Sequence, residues 1–373
     1  MEAITWWFTR RAVEKGHDIT LITTKGSPMA GKCNSKTIKT KTTYAKGKKK
    51  QVLSPSTLTV LETIEPVWDV FAEKDYYLSY KDLLEREYGE GQGIVWDNTW
   101  LCYSYLSAKN YPKMKIVHTH HGITGSKDYP SPNVSVSSPR FIGISRPHAR
   151  YLSSALGIEV RCVHNGIPLP PKAKGEVGKT ERNKNKNYNN KDKEYLLSLN
   201  RILHEKGIHN AIDIAIETEN RIKIVGDDIH GVDSLYVKKI KEKCGNSKGY
   251  AEYYGLVDNN TKKEILRNCK AIVGCPEPTW LEAFGLYAVE ANAYGKPILA
   301  LNNGGLNDIV VNGVNGFLGE TIEELKKYIY NLNQCTPESC RKRVEEMFTD
   351  KIMTTNYLSI FEKVLEDDPG YRW

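Results

Sequence analysis

The sequence predicts an α/β fold made of two domains, each a parallel sheet with helices packed against it. Two observations support this prediction. The chain has 373 residues, more than a single hydrophobic core commonly serves. Short runs rich in β-branched and aromatic residues also alternate with amphipathic helical stretches through both halves. That alternation is typical of parallel strands joined by crossover helices.

Candidate strands occur at similar spacing in the two halves, and the second half repeats the alternation more regularly. In the first half they span residues 17–23, 93–97, 114–120, 140–145 and 159–164, and in the second half 195–199, 221–226, 251–255, 270–274 and 296–301. After about residue 321 the pattern is wholly helical. We expect these last helices to cover an edge of the second sheet.

A segment rich in Pro, Lys and Asn separates the halves. Its prolines stop regular structure, and its Lys/Asn-rich remainder cannot bury a core. We predict an N-terminal domain over 1–168, a linker with a disordered insert over 169–194, and a C-terminal domain over 195–345. We expect residues 346–373 to form a helix that packs back toward the N-terminal domain.

The net charge of +8 is concentrated in two stretches. Residues 32–50 contain eight lysines and no acid, and residues 172–193 contain seven lysines and one arginine against three acids. The lysines lie among Asn, Thr and Gly rather than among aromatic residues, so we interpret both stretches as solvated loops and expect no nucleic-acid binding. The alternative for residues 32–50 is attraction to an anionic membrane surface or to an acidic acceptor.

Cellular location follows from apolar runs and cysteines. No run approaches the ~18–20 apolar residues of a membrane span, and the first residues lack the order of a signal peptide. The eight cysteines show no C-x-x-C pair and no zinc-like spacing with His, so we expect reduced thiols and no metal site. We therefore expect a cytoplasmic protein, with peripheral attachment to a membrane as the alternative. For the thiols, the alternative is a disulfide between Cys335 and Cys340.

The most informative stretch contains two glutamates, Glu282 and Glu290, beside a predicted helix start at Phe284 and Gly285. Free backbone N–H groups at a helix start, together with the helix dipole, form a binding site for a diphosphate. Glu290 would then lie in the second turn and could accept hydrogen bonds from vicinal ribose hydroxyls, while Glu282 could reach a sugar ring. For an isolated pair, complementing the helix dipole on a solvated face would be the simpler explanation.

Two cations favour the functional interpretation. Arg201 and Lys206 follow the strand at 195–199, so they belong at the carboxyl edge of the sheet, where open α/β folds bind ligands. Their charges would neutralise a diphosphate and stabilise it as a leaving group. Because these two cations are expected at the same edge of the sheet, the two glutamates are candidates for a nucleotide-sugar site.

On these residues the second half resembles family 4 of the retaining glycosyltransferases, whose GT-B fold has two Rossmann-like domains facing across a cleft. The matching positions run in order along the chain: Arg201, Lys206-Gly207, Val225-Gly226-Asp227, Glu282 and Glu290 with Phe284-Gly285-Leu286 between them, Ala293 to Ile298, Gly304 to Asp308, and Asn315-Gly316-Phe317. The resemblance implies transfer of a sugar from a nucleoside diphosphate sugar without a metal or other cofactor.

The resemblance also implies a role for each matched position. Arg201 and Lys206 would contact the donor phosphates, and Glu290 would bind the ribose. The sugar and the β-phosphate would be bound by Glu282 and by the backbone of Phe284, Gly285 and Leu286. Gly226, Leu256 and Val257 are further candidates, the last two near the nucleobase.

The first half matches the family at fewer positions. His120-His121-Gly122 resembles the histidine-containing turn after a central strand, which implies that His121, or failing it His120, lies opposite the donor sugar. The residues alone leave a packed or solvated histidine open. Family members begin with a strand and a glycine-rich loop, whereas Met1 is followed at once by helical residues. We therefore expect an N-terminal domain that lacks the first strand, unless the true start lies further upstream or another segment takes the place of that strand and loop.

The working hypothesis is a retaining, metal-independent glycosyltransferase with catalytic Glu282 and His121. The acceptor hydroxyl could belong to a carbohydrate, a lipid-linked molecule or a protein. Alternatives are a GT-B sugar-nucleotide epimerase, a phosphorylase, and a non-catalytic nucleotide-sugar binder. An epimerase would act on the donor alone. A phosphorylase would need a lysine-bound pyridoxal phosphate, for which the sequence has no motif.

If residues 32–50 attach the protein to membranes, vesicles containing anionic lipid will co-sediment with it at low salt, because each lysine near such a surface contributes attraction. Replacing the eight lysines of this stretch with glutamine should abolish co-sedimentation. Neutral vesicles are the control, and equal binding of the two proteins would contradict the prediction.

Overall fold

A computed structural model describes residues 2–23, 58–62, 72–123, 140–172, 195–229 and 232–366 of the chain. These residues form two compact units. The first unit contains Met1–Pro168 and Asp350–Trp373, and the second contains Leu169–Thr349. Residues 32–50, which we interpreted as a solvated loop with a membrane contact as the alternative, lie outside the described residues. So do residues 173–194, which contain the predicted disordered insert.

Helices and strands alternate along the described chain. Its first half contains α1 (Glu2–Glu14), β1 (Ile19–Thr23), β2 (Leu58–Glu62), α2 (Ala72–Tyr88), β3 (Val95–Asp97), α3 (Tyr105–Ala108), β4 (Ile116–Thr119), β5 (Arg140–Gly143), α4 (Arg146–Leu156) and β6 (Val160–Cys162). Its second half contains β7 (Tyr195–Leu199), α5 (Ile208–Glu217), β8 (Arg221–Val225), α6 (Ser234–Gly245), β9 (Ala251–Gly255), α7 (Asn259–Asn268), β10 (Ala271–Gly274), α8 (Leu286–Ala293), β11 (Ile298–Leu301), α9 (Leu306–Ile309), β12 (Gly316–Gly319), α10 (Ile322–Tyr328), α11 (Pro337–Met347) and α12 (Asp350–Leu365). Short 3₁₀ turns span His204–Lys206 and Ile329–Gln334.

All ten predicted strands are present, and the described residues add two strands that we did not predict, β2 and β12. The sequence of β12 is GFLG, and glycine weakens a strand because it has no side chain to pack. The strand forms instead because it pairs with β11, from Ile298 opposite Gly316 to Leu301 opposite Gly319. Strand β12 therefore depends on a tertiary contact that local sequence does not show.

Both units are Rossmann-like, as predicted, with parallel strands and crossover helices. In the described part of the first unit, β1 pairs with β2, and a second sheet has the order β3-β4-β5-β6. The sheet of the second unit has the order β12-β11-β10-β7-β8-β9. The chain passes from β7 outward to β9, returns to β10 beside β7, and continues outward on the other side. The strand order thus reverses between β7 and β10, and such a switch point opens a crevice at the carboxyl ends of the strands.

Helix α5 shows why the predicted amphipathic pattern forms a core in the second unit. Its buried residues Ile208, Ala211, Ile212 and Ala215 recur at helical spacing and pack on the sheet. Strand β7 is buried on both faces from Tyr195 to Ser198, as expected for the centre of a parallel sheet. The sheet therefore holds the loops at its carboxyl edge on a rigid base.

The C-terminal helix α12 packs within the first unit. Tyr357 lies 4.8 Å from the Trp96 ring on β3, and Phe8 of α1 lies 4.4 Å from the same ring. An ion pair of 2.7 Å joins Arg11 on α1 to the buried Asp350 at the start of α12. These contacts bury the apolar faces of both terminal helices against β3.

Two expectations concern cysteines and membrane spans. Cys335 and Cys340 are free, buried thiols, so the alternative of a disulfide between them is wrong. Burial raises the pKa of Cys340 to about 12, which keeps this thiol protonated and unreactive. Within the described residues, every helix is too short or too polar to cross a bilayer.

Asn315, immediately before β12, forms a buried hydrogen-bond network. Its amide donates to Asn292 Oδ1 (2.6 Å) and to the Ile309 carbonyl (3.0 Å), and its Oδ1 accepts from the Val311 N–H (2.7 Å). Asn292 in turn donates to the carbonyl of Asn315 (3.0 Å). The network ties α8 to the segment that leads into β12.

We predict that Asn315→Ala lowers the free energy of unfolding by about 2–4 kcal/mol, because it removes three hydrogen bonds and takes away the partner of the buried Asn292 Oδ1. Chemical denaturation followed by circular dichroism measures the change. Asn246→Ala at an exposed helix end is the matched control, with an expected effect of about 0.5 kcal/mol or less. Equal effects of the two substitutions would contradict the network's role.

The His148 ring in the first unit is held as one neutral tautomer. Its Nδ1 accepts from the Ile144 N–H (3.2 Å), so its Nε2 carries the proton that is donated to the Gly122 carbonyl (2.7 Å). Burial lowers the pKa of His148 to about 4. Protonating Nδ1 would break the bond from Ile144 and place a charge in the core.

We predict that His148→Gln weakens the acid sensitivity of the fold. Between about pH 6.5 and pH 4 the unfolded chain binds a proton at His148 that the folded chain does not, so this group's contribution to stability is complete above pH 6.5 and is lost as the pH falls. The contribution changes by at most about 1.4 kcal/mol per pH unit. Denaturation of both proteins at several pH values between 7.5 and 5 measures it, and parallel pH dependences would refute the assignment.

Candidate functional site

The loop between β10 and α8 carries Glu282 and leads into the predicted helix start. Gly285 precedes α8 with φ +93° and ψ 53°, a left-handed conformation that only glycine adopts without strain. As a glycine it offers no side chain to cap the helix. The first N–H groups of α8 therefore receive no side-chain cap from that position and can donate hydrogen bonds to an anionic ligand.

Lys206 and Glu282 form an ion pair at the switch point of the second unit. Lys206 ends the 3₁₀ turn that follows β7, and its Nζ lies 2.7 Å from Glu282 Oε2. Glu282 is 7% exposed. The structure thus brings together two predicted site residues that are 76 positions apart in the chain. Their loops follow β7 and β10, the two strands where the order reverses.

Backbone contacts fix the position of Glu282 from both sides. Its N–H donates to Asn303 Oδ1 (2.8 Å), and its carbonyl accepts from the Gly305 N–H (2.7 Å). The Asn303 amide also donates to the carbonyl of Trp280 (2.7 Å). The loop after β11 therefore holds the loop after β10, and the Glu282 carboxylate is pre-positioned toward Lys206.

Glu290 contacts a lysine that we did not predict. The Lys262 Nζ on α7 lies 2.6 Å and 2.9 Å from the two carboxylate oxygens of Glu290 in the second turn of α8. The two glutamates thus each have an ammonium partner. Lys262 had no signal of its own in the sequence, because a lysine on an amphipathic helix is commonly a solvated charge.

The other predicted donor residues lie along the carboxyl edge of β7, β8 and β9. Gly226 donates its N–H to the Gly255 carbonyl (2.9 Å), and the Leu256 N–H donates to Asp228 Oδ1 (3.3 Å). Arg201 follows β7 with an exposed side chain, Leu256 is exposed, and Val257 is half-buried. Of the remaining predicted residues, Phe284 is buried and stacks edge-on against Phe348 at 5.9 Å, and Leu286 is half-buried.

Glu277 was also missed, although it joins three segments of the site. Its N–H donates to the Glu205 carbonyl (2.9 Å), beside Lys206, and its carbonyl accepts from the Trp280 N–H (2.9 Å). Its carboxylate lies 3.3 Å from His209 Nε2 and accepts from the Asn210 amide at 3.2 Å, both on the first turn of α5. Glu277 thereby fixes the loop after β10 against the turn that carries Lys206.

The predicted histidines lie at the carboxyl end of β4 in the first unit, in different environments. His120 is 1% exposed, with its Nδ1 3.4 Å from His118 Nε2. His121 is half-buried, with its Nε2 3.0 Å from Asn98 Oδ1. Burial lowers the pKa of His120 to about 2, and it also lowers that of His121. Both rings are therefore neutral at physiological pH, and His121 is the more exposed of the two.

Asp97 is the charged centre of this histidine cluster. It accepts from Ser104 Oγ and from the Thr99 N–H (2.7 Å), and its Oδ1 lies 3.5 Å from His118 Nδ1. Burial raises the pKa of Asp97, but hydrogen bonds from His118, Ser104 and Thr99 outweigh it and lower the value to about 2. The carboxylate orients His118, which in turn contacts His120.

Comparison with known proteins shows similarity to glycosyltransferases. Residues 179–347 match the family model described as glycosyl transferases group 1. An uncharacterized glycosyltransferase of Methanocaldococcus jannaschii is 31% identical over 214 residues, which cover 57% of this chain and 54% of that protein. The chain spans about half the length of the curated relatives it matches.

Solved structures extend the similarity over almost the whole chain. A glycosyltransferase from Rickettsia africae superposes with a TM-score of 0.69 at 16% identity, covering 98% of this chain and 96% of that one. Anabaena HepE in complex with UDP-glucose has a TM-score of 0.60 at 16% identity, covering 82% and 86% of the two chains. The protein therefore has the GT-B fold, and its second half is similar to the glycosyl transferases of group 1.

Proposed function

We propose that the protein is a retaining glycosyltransferase that transfers a sugar from a nucleoside diphosphate sugar to an acceptor hydroxyl. The observation that carries this proposal is the Lys206–Glu282 pair, 2.7 Å apart at the switch point of the second sheet, in the loop that leads into α8. The match to glycosyl transferases group 1 and the UDP-glucose complex of HepE support it. Assignment to family 4 within that group is part of the proposal.

Positive charge at this edge suits a departing nucleoside diphosphate. Lys206, the exposed Arg201 and the start of α8 supply an ammonium, a guanidinium and oriented N–H groups. Such groups stabilise charge that develops as the bond to the sugar breaks. These residues take the role that a divalent cation has elsewhere, so we propose a reaction that needs no metal or other cofactor.

Glu282 would act on the sugar. Its ion pair with Lys206 holds the carboxylate in place beside the helix start. A carboxylate there stabilises an oxocarbenium-like centre, and the departing phosphate can accept the acceptor's proton, so no strong side-chain base is required. Because bond breaking and bond forming then occur on the same face of the sugar, the anomeric configuration is retained.

Glu290 would bind the ribose of the donor. Its carboxylate is 22% exposed and can accept from two vicinal hydroxyls while Lys262 neutralises it. Leu256 and Val257, at the carboxyl end of β9, would lie beside the nucleobase. In the first unit, His121 would contact the donor sugar through its neutral ring.

The donor site is tested by replacing its charged groups. Arg201→Ala, Lys206→Ala and Glu290→Ala should each weaken binding of the nucleotide sugar about 10- to 100-fold, since each removes a charge-assisted hydrogen bond. Calorimetric titration measures this with whichever of UDP-glucose, GDP-mannose or ADP-glucose the unmodified protein binds best. Lys238→Ala, at an exposed site on α6, is the control.

Unchanged affinity and turnover in Arg201→Ala and Glu290→Ala would overturn the site. Glu282→Gln should retain binding and lose about 100-fold or more in turnover, because it removes charge that is needed chiefly in the transition state. Nuclear magnetic resonance of the product's anomeric proton tests retention. Donor converted without an acceptor to an isomeric nucleotide sugar would indicate an epimerase instead, and saturable binding without any turnover would indicate a binding protein.

A further inference from the structure

Two buried hydrogen-bond donors on the segment from β10 to α8 that carries Glu282 have no partner among the residues that the structure describes: the indole N–H of Trp280 and the hydroxyl of Tyr287. A buried polar group without a partner costs folding free energy, so protein interiors contain few of them. A pair in one site therefore points to a partner that comes from outside the chain.

Tyr287 lies in the first turn of α8 and is 8% exposed. Its hydroxyl lies against Gly274, the last residue of β10, where a Cβ on residue 274 would overlap it. The hydroxyl is therefore at the carboxyl edge of the sheet, and Gly274 provides the space for it. Burial raises the pKa of Tyr287, and the charge of Glu282 raises it further, so the phenol stays protonated and able to donate.

Trp280 lies two residues before Glu282. Its backbone is held at both ends, by the Glu277 carbonyl (2.9 Å) and by the Asn303 amide (2.7 Å). The Lys206 Nζ lies 5.9 Å from the centre of the Trp280 ring. An indole N–H can only donate, so its missing partner must be an acceptor, such as a hydroxyl or a phosphate oxygen of a ligand.

We propose that Trp280 and Tyr287 are two further donor-binding residues, which hydrogen-bond oxygen atoms of the nucleotide sugar beside the Lys206–Glu282 pair. This inference rests on the proposed function, because it deepens the same site. The ligand chemistry is an oxygen-rich, anionic molecule, and the two groups could contact either the sugar hydroxyls or the diphosphate. Both residues would make the site specific for a ligand that satisfies them, since a ligand without matching oxygens leaves them unpaired.

The test compares Tyr287→Phe with Tyr195→Phe. Both remove one hydroxyl from a buried tyrosine of the second unit, but the Tyr195 hydroxyl donates to the Ile265 carbonyl (2.9 Å). We expect Tyr287→Phe to leave the melting temperature of the ligand-free protein unchanged or raised, and to weaken binding of the nucleotide sugar about fivefold. Tyr195→Phe should lower that melting temperature and leave the affinity unchanged.

Trp280→Phe provides a second variant that keeps an aromatic ring beside Lys206 but removes the N–H donor together with part of the indole ring. We expect the same loss of affinity as for Tyr287→Phe. Titration with the nucleoside diphosphate alone separates the two ligand parts. Affinity loss for the diphosphate as well as for the nucleotide sugar indicates a phosphate contact, and loss for the nucleotide sugar alone indicates a sugar contact.

Two outcomes would overturn the inference by itself. In one, the unmodified protein binds a nucleotide sugar and the Phe variants bind it equally well. In the other, Tyr287→Phe lowers the ligand-free melting temperature as much as Tyr195→Phe does, which would indicate an internal partner for the Tyr287 hydroxyl. A protein that binds none of UDP-glucose, GDP-mannose and ADP-glucose would instead overturn the proposed function.

Discussion

The ion pair between Lys206 and Glu282 is the interaction on which the candidate site depends. It joins the loop after β7 to the loop after β10, the two strands between which the order of the second sheet reverses. A sheet with this order leaves its crevice between those two loops. A carboxylate that is 7% exposed would be costly there without a cation, so the pair also fixes where the two loops meet.

Hydrogen bonds from neighbouring segments hold the backbone around Glu282 in place. Asn303 and Gly305 hold Glu282 itself, and Glu277 ties the same loop to α5 and to the turn that carries Lys206. Pre-positioned charges cost no reorganisation when a transition state forms, which is the physical advantage of such bonding. The two unpartnered donors of Trp280 and Tyr287 are exceptions inside this otherwise satisfied network, and for that reason they point to a ligand.

The first unit uses buried polar groups in a different way. Asp97, His118 and His120 form a connected cluster under the turn that carries His121, and His148 fixes Gly122 in that turn. The neutral ring of His148 holds the Ile144 N–H and the Gly122 carbonyl in place through one defined tautomer. His121 lies half-buried beside this cluster, and its contact with the donor sugar is a prediction.

The sequence by itself determined the alternation of strands and helices, and hence the Rossmann-like units, because burial in a parallel sheet imposes apolar runs and amphipathic helices that local pattern reveals. It also showed that Glu282 and Gly285 lie just before a helix start, since the residues at the beginning of a helix form a local sequence pattern. Only the tertiary structure decided which charges meet. Lys206 with Glu282, Lys262 with Glu290 and Glu277 with His209 are pairs between residues 76, 28 and 68 positions apart, brought together by sheet topology. Strand β12 depends in the same way on its neighbour, because two of its four residues are glycines with no preference for a strand.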